Sequence, residues 1–308
     1  MICCVVGKGS IGKRHSNILE NLNIKVLFLR RRPNKKEKNE ISYDKKKLNE
    51  VNFFIISNPS SLHLRTIKKL IVFNKPIFVE KPFVTQKAIS KEIINYNKLF
   101  VLYQMRFDPR IKFIKKKITQ KKIKKAKFTW KTYLPDWHKY ENYKESYASR
   151  KKLGGGVIFT MCHEIDTAIN ILGKVKAVSA KKNRNILKLD VEDNIKIKLQ
   201  HNENFNSTIN LNFASKKQVR TFKIKTDDNF FSWDFFDENV YVGNKKHKFR
   251  IKNDQIYNKQ MKNLLLILRK KKYDNSIIHL KKILHTQEVI NACIESLNKK
   301  KKITINYE

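Results

Sequence analysis

The chain has 308 residues, of which 41% are apolar and 11% aromatic. That is enough to bury a core and excludes a disordered chain, and at about 150 residues per domain the length points to two domains. Lys and Arg number 68 against 27 Asp and Glu, a formal net charge of +41, so nucleic-acid binding has to be weighed from the outset. The basic runs, at residues 30–32, 45–47, 115–117, 121–125, 269–272 and 299–302, lie between apolar segments throughout the chain. That distribution describes a solvated basic surface and not a binding tail. Cys3, Cys4, Cys162 and Cys293 show neither metal-ligand nor redox spacing, and no metal site is expected. They read as buried thiols in a reducing compartment, and the expected location is cytoplasmic. No apolar stretch reaches the ~18 residues of a membrane span, and an apolar strand directly after Met1 leaves no room for a cleavable presequence.

Residues 2–6 form a fully apolar run and predict a buried parallel strand. Gly7-Lys8-Gly9-Ser10-Ile11-Gly12 follows at once, and residues 13–22 carry helical spacing. Strand, G-x-G-x-x-G and helix in this order predict a Rossmann dinucleotide site. Gly7 makes the turn, Gly9 admits the pyrophosphate, and Gly12 lets the helix pack on the strand with its N-terminus toward the phosphates. Ser10 and Ile11 complete the loop. A second strand is predicted over residues 24–29. NAD enzymes usually place an acid at its end; this chain has Arg30-Arg31-Arg32. A guanidinium suits a 2′-phosphate, so the cofactor is read as NADP or NAD with a lean to NADP.

Further strands are predicted over residues 51–57, 76–79 and 100–103, with a helix over 64–73. Each strand ends in a turn of chemical interest. These are Asn58-Pro59-Ser60-Ser61-Leu62-His63, Glu80-Lys81-Pro82 and Gln104-Met105-Arg106-Phe107-Asp108-Pro109. Strands alternating with helices imply a parallel sheet, whose ligand lies beyond the strands' carboxyl ends. Residues 127–133, 194–199, 206–213, 219–225, 230–235 and 239–242 alternate with period two and predict a mixed or antiparallel sheet. Helices are expected over 264–268 and 277–297, and a short strand over 303–305. The boundary is placed at 1–110 and 111–308, with the C-terminal helices packing back on the first domain.

Five stretches together resemble the Gfo/Idh/MocA oxidoreductases, the glucose-fructose oxidoreductase and inositol dehydrogenase family. They are Gly7-x-Gly9-Ser10-Ile11-Gly12-x-Arg14-His15, Asn58-Pro59-Ser60-Ser61-Leu62-His63, Glu80-Lys81-Pro82, Met105-Arg106-Phe107-x-Pro109 and Gly154-Gly155-Gly156…His163-Glu164-Ile165-Asp166. The resemblance implies a Rossmann domain that holds a nicotinamide cofactor. It also implies a C-terminal domain with a large open sheet, which supplies the substrate side and often the oligomer contact. The implied reaction is hydride transfer between the cofactor and a sugar-like alcohol carbon. The aromatic stretch from Tyr133 to Arg150, including His138 and Tyr140, looks like a bacterial subgroup found beside genes for cell-surface sugars.

On this resemblance Lys81 and His163 are the expected catalytic pair. Partial burial and a neighbouring cation would lower a lysine's pKa, and a lysine so poised can relay the proton of a reacting hydroxyl. The triple glycine permits close backbone approach to a ligand, residues from Val157 onward read as one continuous helix, and His163 on that helix is the candidate general base or acid. Gly7, Gly9, Ser10, Ile11, Gly12, Arg30, Arg31, Asn58, Pro59, His63, Glu80 and Lys81 are expected on the cofactor. Arg106, Tyr147 and Arg150 are candidate substrate contacts. Many members carry an aspartate four residues before the histidine. Here that position holds Phe159, or Thr160 if counted from the glycines, so Thr160 or Asp166 becomes a candidate for the missing role; Asp166 otherwise reads as a solvated carboxylate. Two other readings remain: a non-catalytic nicotinamide- or sugar-binding relative, and a basic nucleic-acid-binding protein.

Overall fold

The structure is a computed structural model that describes residues 1–137, 141–251 and 254–305. His138, Lys139 and Tyr140 of the aromatic stretch lie outside the described residues. The chain divides into two compact units, Met1–Gln104 with Asp254–Leu284, and Met105–Asn253 with His285–Glu308.

The chain opens with β1 (Ile2–Val6), α1 (Ser10–Glu20), β2 (Lys25–Leu29), β3 (Glu40–Ile41), α2 (Lys45–Asn49) and β4 (Phe53–Ile56). There follow α3 (His63–Leu70), β5 (Ile77–Glu80), α4 (Lys91–Asn95) and β6 (Leu99–Leu102). The middle of the chain contributes α5 (Pro109–Ile118), β7 (Ile123–Tyr133), α6 (Val157–Thr160), α7 (His163–Leu172) and β8 (Val175–Lys182). It continues through β9 (Asn194–His201), β10 (Asn206–Asn212), β11 (Ala214–Thr226), β12 (Phe230–Asp234), β13 (Asn239–Val242) and β14 (Lys245–Lys248). The end holds α8 (Gln255–Leu268), β15 (Ile278–His279), α9 (Leu280–Lys299) and β16 (Ile303–Thr304).

In the first unit seven strands run in the order β15-β6-β5-β4-β1-β2-β3. The six from the N-terminal segment are parallel and β15 is antiparallel to β6. Cys3 to Val5, Phe53 to Ile56, Ile77 to Val79 and Leu99, Val101 and Leu102 are sealed from solvent. Strands covered on both faces need unbroken apolar runs, and these segments supply them. The buried thiols behave accordingly: burial pushes Cys4 up to about 12 and raises Cys3 well above its usual value. Helix α8 packs on α1, where Arg14 lies 4.7 Å from the Tyr257 ring and 3.3 Å from Asp254.

The second unit is built on nine strands in the order β14-β13-β12-β11-β7-β10-β9-β8-β16. Only β7 and β10 run parallel to each other. Alternation decides the faces. Phe128, Ile197, Leu199, Ile209, Leu211, Phe222 and Ile224 are buried, and α5, α6 and α7 pack on the sheet. Helix α5 starts on Asp108, whose side chain accepts from the Arg110 N–H at 2.8 Å, an N-cap of the usual kind. Arg110 also donates to the carbonyls of Asp234, Phe235 and Asp237, tying α5 to the β12–β13 turn.

The helix predicted as continuous from residue 157 is broken. Gly156 takes φ +99° before α6, and Met161 and Cys162 separate α6 from α7, so His163 stands at the start of the second helix. Ile278 and His279, read as helical, are extended and pair with β6, and α9 begins only at Leu280.

Candidate functional site

The nucleotide side is built entirely within the first unit. Gly7 has φ +102°, and a Cβ there would sit 2.8 Å from the Asn58 backbone nitrogen. At Gly12 a Cβ would meet the Gly7 carbonyl at 2.2 Å and the Ser57 Oγ at 2.8 Å. Both positions therefore require glycine. Gly9 differs: nothing lies within 4 Å of its missing Cβ. The space there is open toward the start of α1, whose first turn carries no acid and whose leading N–H groups have no side-chain cap. A helix N-terminus of this kind favours an anion.

Beside the loop lies a cavity of about 540 Å³, lined in part by Val6, Leu29, Arg30, Arg31, Asn58, Arg65 and Lys69. Four of these are cations and none is an acid. Glu40, close by on β3, is already engaged: it accepts from the Asn34 N–H at 2.7 Å and from Lys8 at 2.9 Å, and these hold its carboxyl below the usual range. Asn58 donates to Thr66 at 2.9 Å, and its buried Oδ1 has no hydrogen-bond partner. Open glycine loop, uncapped helix, apolar walls, cationic rim and an unmatched polar atom fit a dinucleotide. Arg65, Thr66 and Lys69 were not among the residues expected from the sequence. Their signal was present, since Leu62, Arg65, Thr66 and Lys69 share one helical face.

His63 and Glu80 were expected against the cofactor, and both are taken up by the protein itself. His63 is 1% exposed. Its Nδ1 lies 3.0 Å from the Pro82 carbonyl and its Nε2 lies 2.9 Å from that of Asn58. A neutral ring donates through one nitrogen only, and burial lowers its pKa. It braces the Asn58 turn against the Pro82 turn. Glu80 receives His15 Nε2 at 2.7 Å and its own neighbour's N–H, that of Lys81, at 3.2 Å. Lys81 emerges half-buried at the end of β5, fixed from behind by these contacts and followed by a cis bond to Pro82.

In the second unit His163 is 2% exposed, with its ring centroid 6.4 Å from that of Trp130. The sequence suggested that the glycines ahead of His163 give room to a ligand, but Gly155 and Gly156 pack against the protein itself. Gly155 lies against the Tyr147 and Ala148 carbonyls, where a Cβ would come within 2.6 and 2.5 Å, and Gly156 lies against the Glu192 carboxylate. That carboxylate accepts the Ile158 N–H at 3.1 Å, and burial raises its pKa.

Asp166 is not a solvated carboxylate: it is 1% exposed. Arg106 grips it with two donors, Nε at 2.8 Å and Nη2 at 2.5 Å. Two candidates for the site thus hold each other, and an arginine so engaged is not poised for a substrate carboxylate. Thr160 is buried on α6, while Tyr147 and Arg150 are half-buried around a short 3₁₀ turn. Glu164, next to His163, is paired with Arg220 at 2.7 Å, and the Arg220 guanidinium lies 3.8 Å from the Trp130 ring.

Residues 114–229, all within the second unit, match the family model described as the GFO/IDH/MocA C-terminal domain. The chain has the Gfo/Idh/MocA fold. Three solved structures share it across nearly their full length. An oxidoreductase from Thermotoga maritima is 18% identical, with 99% of this chain and 98% of that one covered and a TM-score of 0.81. A levoglucosan dehydrogenase in complex with NADH and levoglucosan is 15% identical, with 99% of each chain covered and a TM-score of 0.84. The WlbA dehydrogenase from Bordetella pertussis, in complex with NADH and UDP-GlcNAcA, is 16% identical, with 100% and 99% covered and a TM-score of 0.81. No curated protein matches the sequence. Among the described residues, no helix is long and apolar enough to cross a membrane.

Proposed function

We propose that the protein is a nicotinamide-dependent oxidoreductase that moves a hydride to or from an alcohol or ketone carbon of a sugar or sugar derivative, with NADP(H) as the preferred cofactor. The observation that carries this reading is the cavity beside the Gly7–Gly12 loop, walled by Val6 and Leu29 and rimmed by Arg30, Arg31, Arg65 and Lys69. These residues would hold the nucleotide part of a nicotinamide cofactor, which would supply the hydride acceptor or donor. The likeness to dehydrogenases whose structures hold NADH with levoglucosan or UDP-GlcNAcA supports a sugar-like substrate.

Lys81 and His163 are the residues proposed to handle the proton. In oxidation the hydroxyl must lose a proton as its carbon loses the hydride. Lys81 can donate a hydrogen bond to the developing oxyanion, and His163 can take the proton as a base; in reduction the roles reverse. Asp166 takes no part, because Arg106 occupies it.

The test is cofactor binding followed by turnover on a panel of sugars and sugar acids. Lys81→Ala and His163→Ala should each lower kcat by about 10²–10⁴-fold while NADPH binding changes by less than about threefold. If the two act in one step, the double variant loses far less than the product of the single losses. Turnover unchanged in both variants would sink this assignment. A second reading, a non-catalytic relative, is favoured by one feature: neither Phe159 nor Thr160 supplies the acid usual in the resembled family. Tight NADPH binding with no hydride transfer across the panel would select it.

A further inference from the structure

Lys8 stands between the first two glycines of the Gly7–Gly12 loop, a position where the dinucleotide motif makes no demand on the side chain. A flexible cation there has the reach to swing toward the phosphates for which the loop is shaped. The structure holds it elsewhere. Its ammonium donates to Glu40 at 2.9 Å and lies 3.2 Å from a Glu37 oxygen. It also sits 5.2 Å from the centre of the Phe28 ring. Phe28 and Glu40 are register partners in the β2–β3 pair, so the two strands together build the seat for this ammonium.

Glu37 and Glu40 come from the stretch that leads from β2 into β3, the one that carries Arg30 and Arg31 to the cavity rim. Hydrogen bonds fold that stretch back on itself. The Glu37 N–H donates to the Asn34 carbonyl and the Glu40 N–H to that of Glu37. The Glu40 side chain, 6% exposed, closes the fold by accepting the Asn34 N–H at 2.7 Å. The same carboxylate oxygen lies 4.0 Å from Arg30 Nε. A poorly solvated carboxylate thus stands directly behind a cation of the rim. Left without Lys8, it would draw Arg30 inward into a full ion pair, and it would repel a phosphate on the ribose 2′-oxygen.

We propose that Lys8 is a specificity-determining residue, whose ammonium silences Glu40 and so leaves Arg30 and the rest of the rim to a 2′-phosphate. This rests on the nucleotide site proposed above and assigns its choice of cofactor in part to a side chain outside the cavity lining. Lys8 is not a pyrophosphate ligand in this scheme. Its charge is taken up by two acids, and the open space at Gly9 with the uncapped start of α1 serves the pyrophosphate.

The experiment is fluorescence titration of the full chain with NADPH and with NADH at about 0.1 M NaCl, which needs no sugar substrate. Lys8→Met should raise the Kd for NADPH by about tenfold and that for NADH by less than about threefold. Lys8→Arg keeps the charge and should leave both within about threefold of wild type. Lys8→Met/Glu40→Gln should return NADPH to within about threefold of wild type. Glu40→Gln alone should bind NADPH at least as tightly as wild type, because the charge it removes opposes the phosphate. Equal losses of both cofactors in Lys8→Met would make Lys8 a pyrophosphate contact or a brace of the loop, and would overturn the proposal. So would an unchanged ratio of the two Kd values, weaker NADPH binding in Glu40→Gln, or a double variant that does not recover. The wild-type ratio tests the NADP preference separately. A chain that prefers NADH refutes that preference, while a ratio that shifts in Lys8→Met and recovers in the double variant still upholds the role of Lys8. Thermal midpoints of each variant by far-UV circular dichroism keep a folding defect distinguishable from a binding one.

Discussion

At the scale of single residues, the proposed preference for NADP(H) rests on the balance of charge around the glycine-loop cavity. Arg30 and Arg31 stand at the end of β2, and Arg65 and Lys69 approach from α3. The nearby acid, Glu40, is already neutralised by Lys8 and bound by the Asn34 N–H. A ribose 2′-hydroxyl gains little from such a rim, whereas a 2′-phosphate gains charge-assisted hydrogen bonds of roughly 1.5–3 kcal/mol each. Arg31→Ala and Arg65→Ala are therefore expected to raise the Kd for NADPH by about 10–100-fold while changing that for NADH by less than about threefold. Isothermal titration of both reduced cofactors decides it. Equal losses for the two would place these cations on the pyrophosphate or on the fold, and a wild-type chain that prefers NADH would refute the proposed NADP preference.

At the scale of elements, Asp166 fastens the start of α7 to the segment that leads into α5. The carboxylate is sealed and Arg106 is its bidentate partner. Removing one member of a buried pair strands the other, at about 3–5 kcal/mol. Asp166→Ala should destabilise the second unit by about 3 kcal/mol, the lower end because the Arg106 side chain stays 13% exposed. Tryptophan fluorescence isolates this effect, since all three tryptophans (Trp130, Trp137 and Trp233) lie in the second unit. The urea midpoint should fall, and Arg106→Met/Asp166→Leu should recover most of it. An unshifted midpoint would mean the pair contributes nothing.

The same elements show what the sequence could and could not convey. Strands β1, β4, β5 and β6 were legible because a strand buried on both faces must be an unbroken apolar run, and because G-x-G-x-x-G between strand and helix marks a turn that packs its own helix tightly. The wide sheet was legible as alternation. The break before His163 was not, because Met161 and Cys162 continue the apolar pattern of a helix although the backbone leaves helical geometry at Met161. The pairing of Arg106 with Asp166 was hidden for another reason. Sixty residues separate them, and each taken alone had the look of a site residue. The cations of α3 were visible but indistinct in a chain so full of lysine.

At the scale of the whole molecule, a net charge of +41 acts on stability and on binding with opposite signs. Within the folded chain the cations are held closer than in the unfolded ensemble, so their mutual repulsion disfavours the native state. The Debye length is about 10 Å at 0.1 M salt and about 3 Å at 1 M, so added salt removes most of that repulsion between exposed groups. Raising NaCl from about 0.05 M to 0.5 M should therefore stabilise the fold by roughly 1–2 kcal/mol, seen as a Tm increase of about 3–6 °C for units of this size. The same salt screens the attraction between the cavity's cations and a phosphorylated dinucleotide, so the Kd for NADPH should rise several-fold over that range. Differential scanning calorimetry and fluorescence titration in matched buffers test the two halves together. A Tm that falls with salt would show that ion pairs such as Lys8–Glu40 and Lys121–Asp228 outweigh the surplus of cations. A Tm that rises equally in a neutral osmolyte would trace the gain to exclusion of solute from the protein surface, because an uncharged solute cannot screen charge.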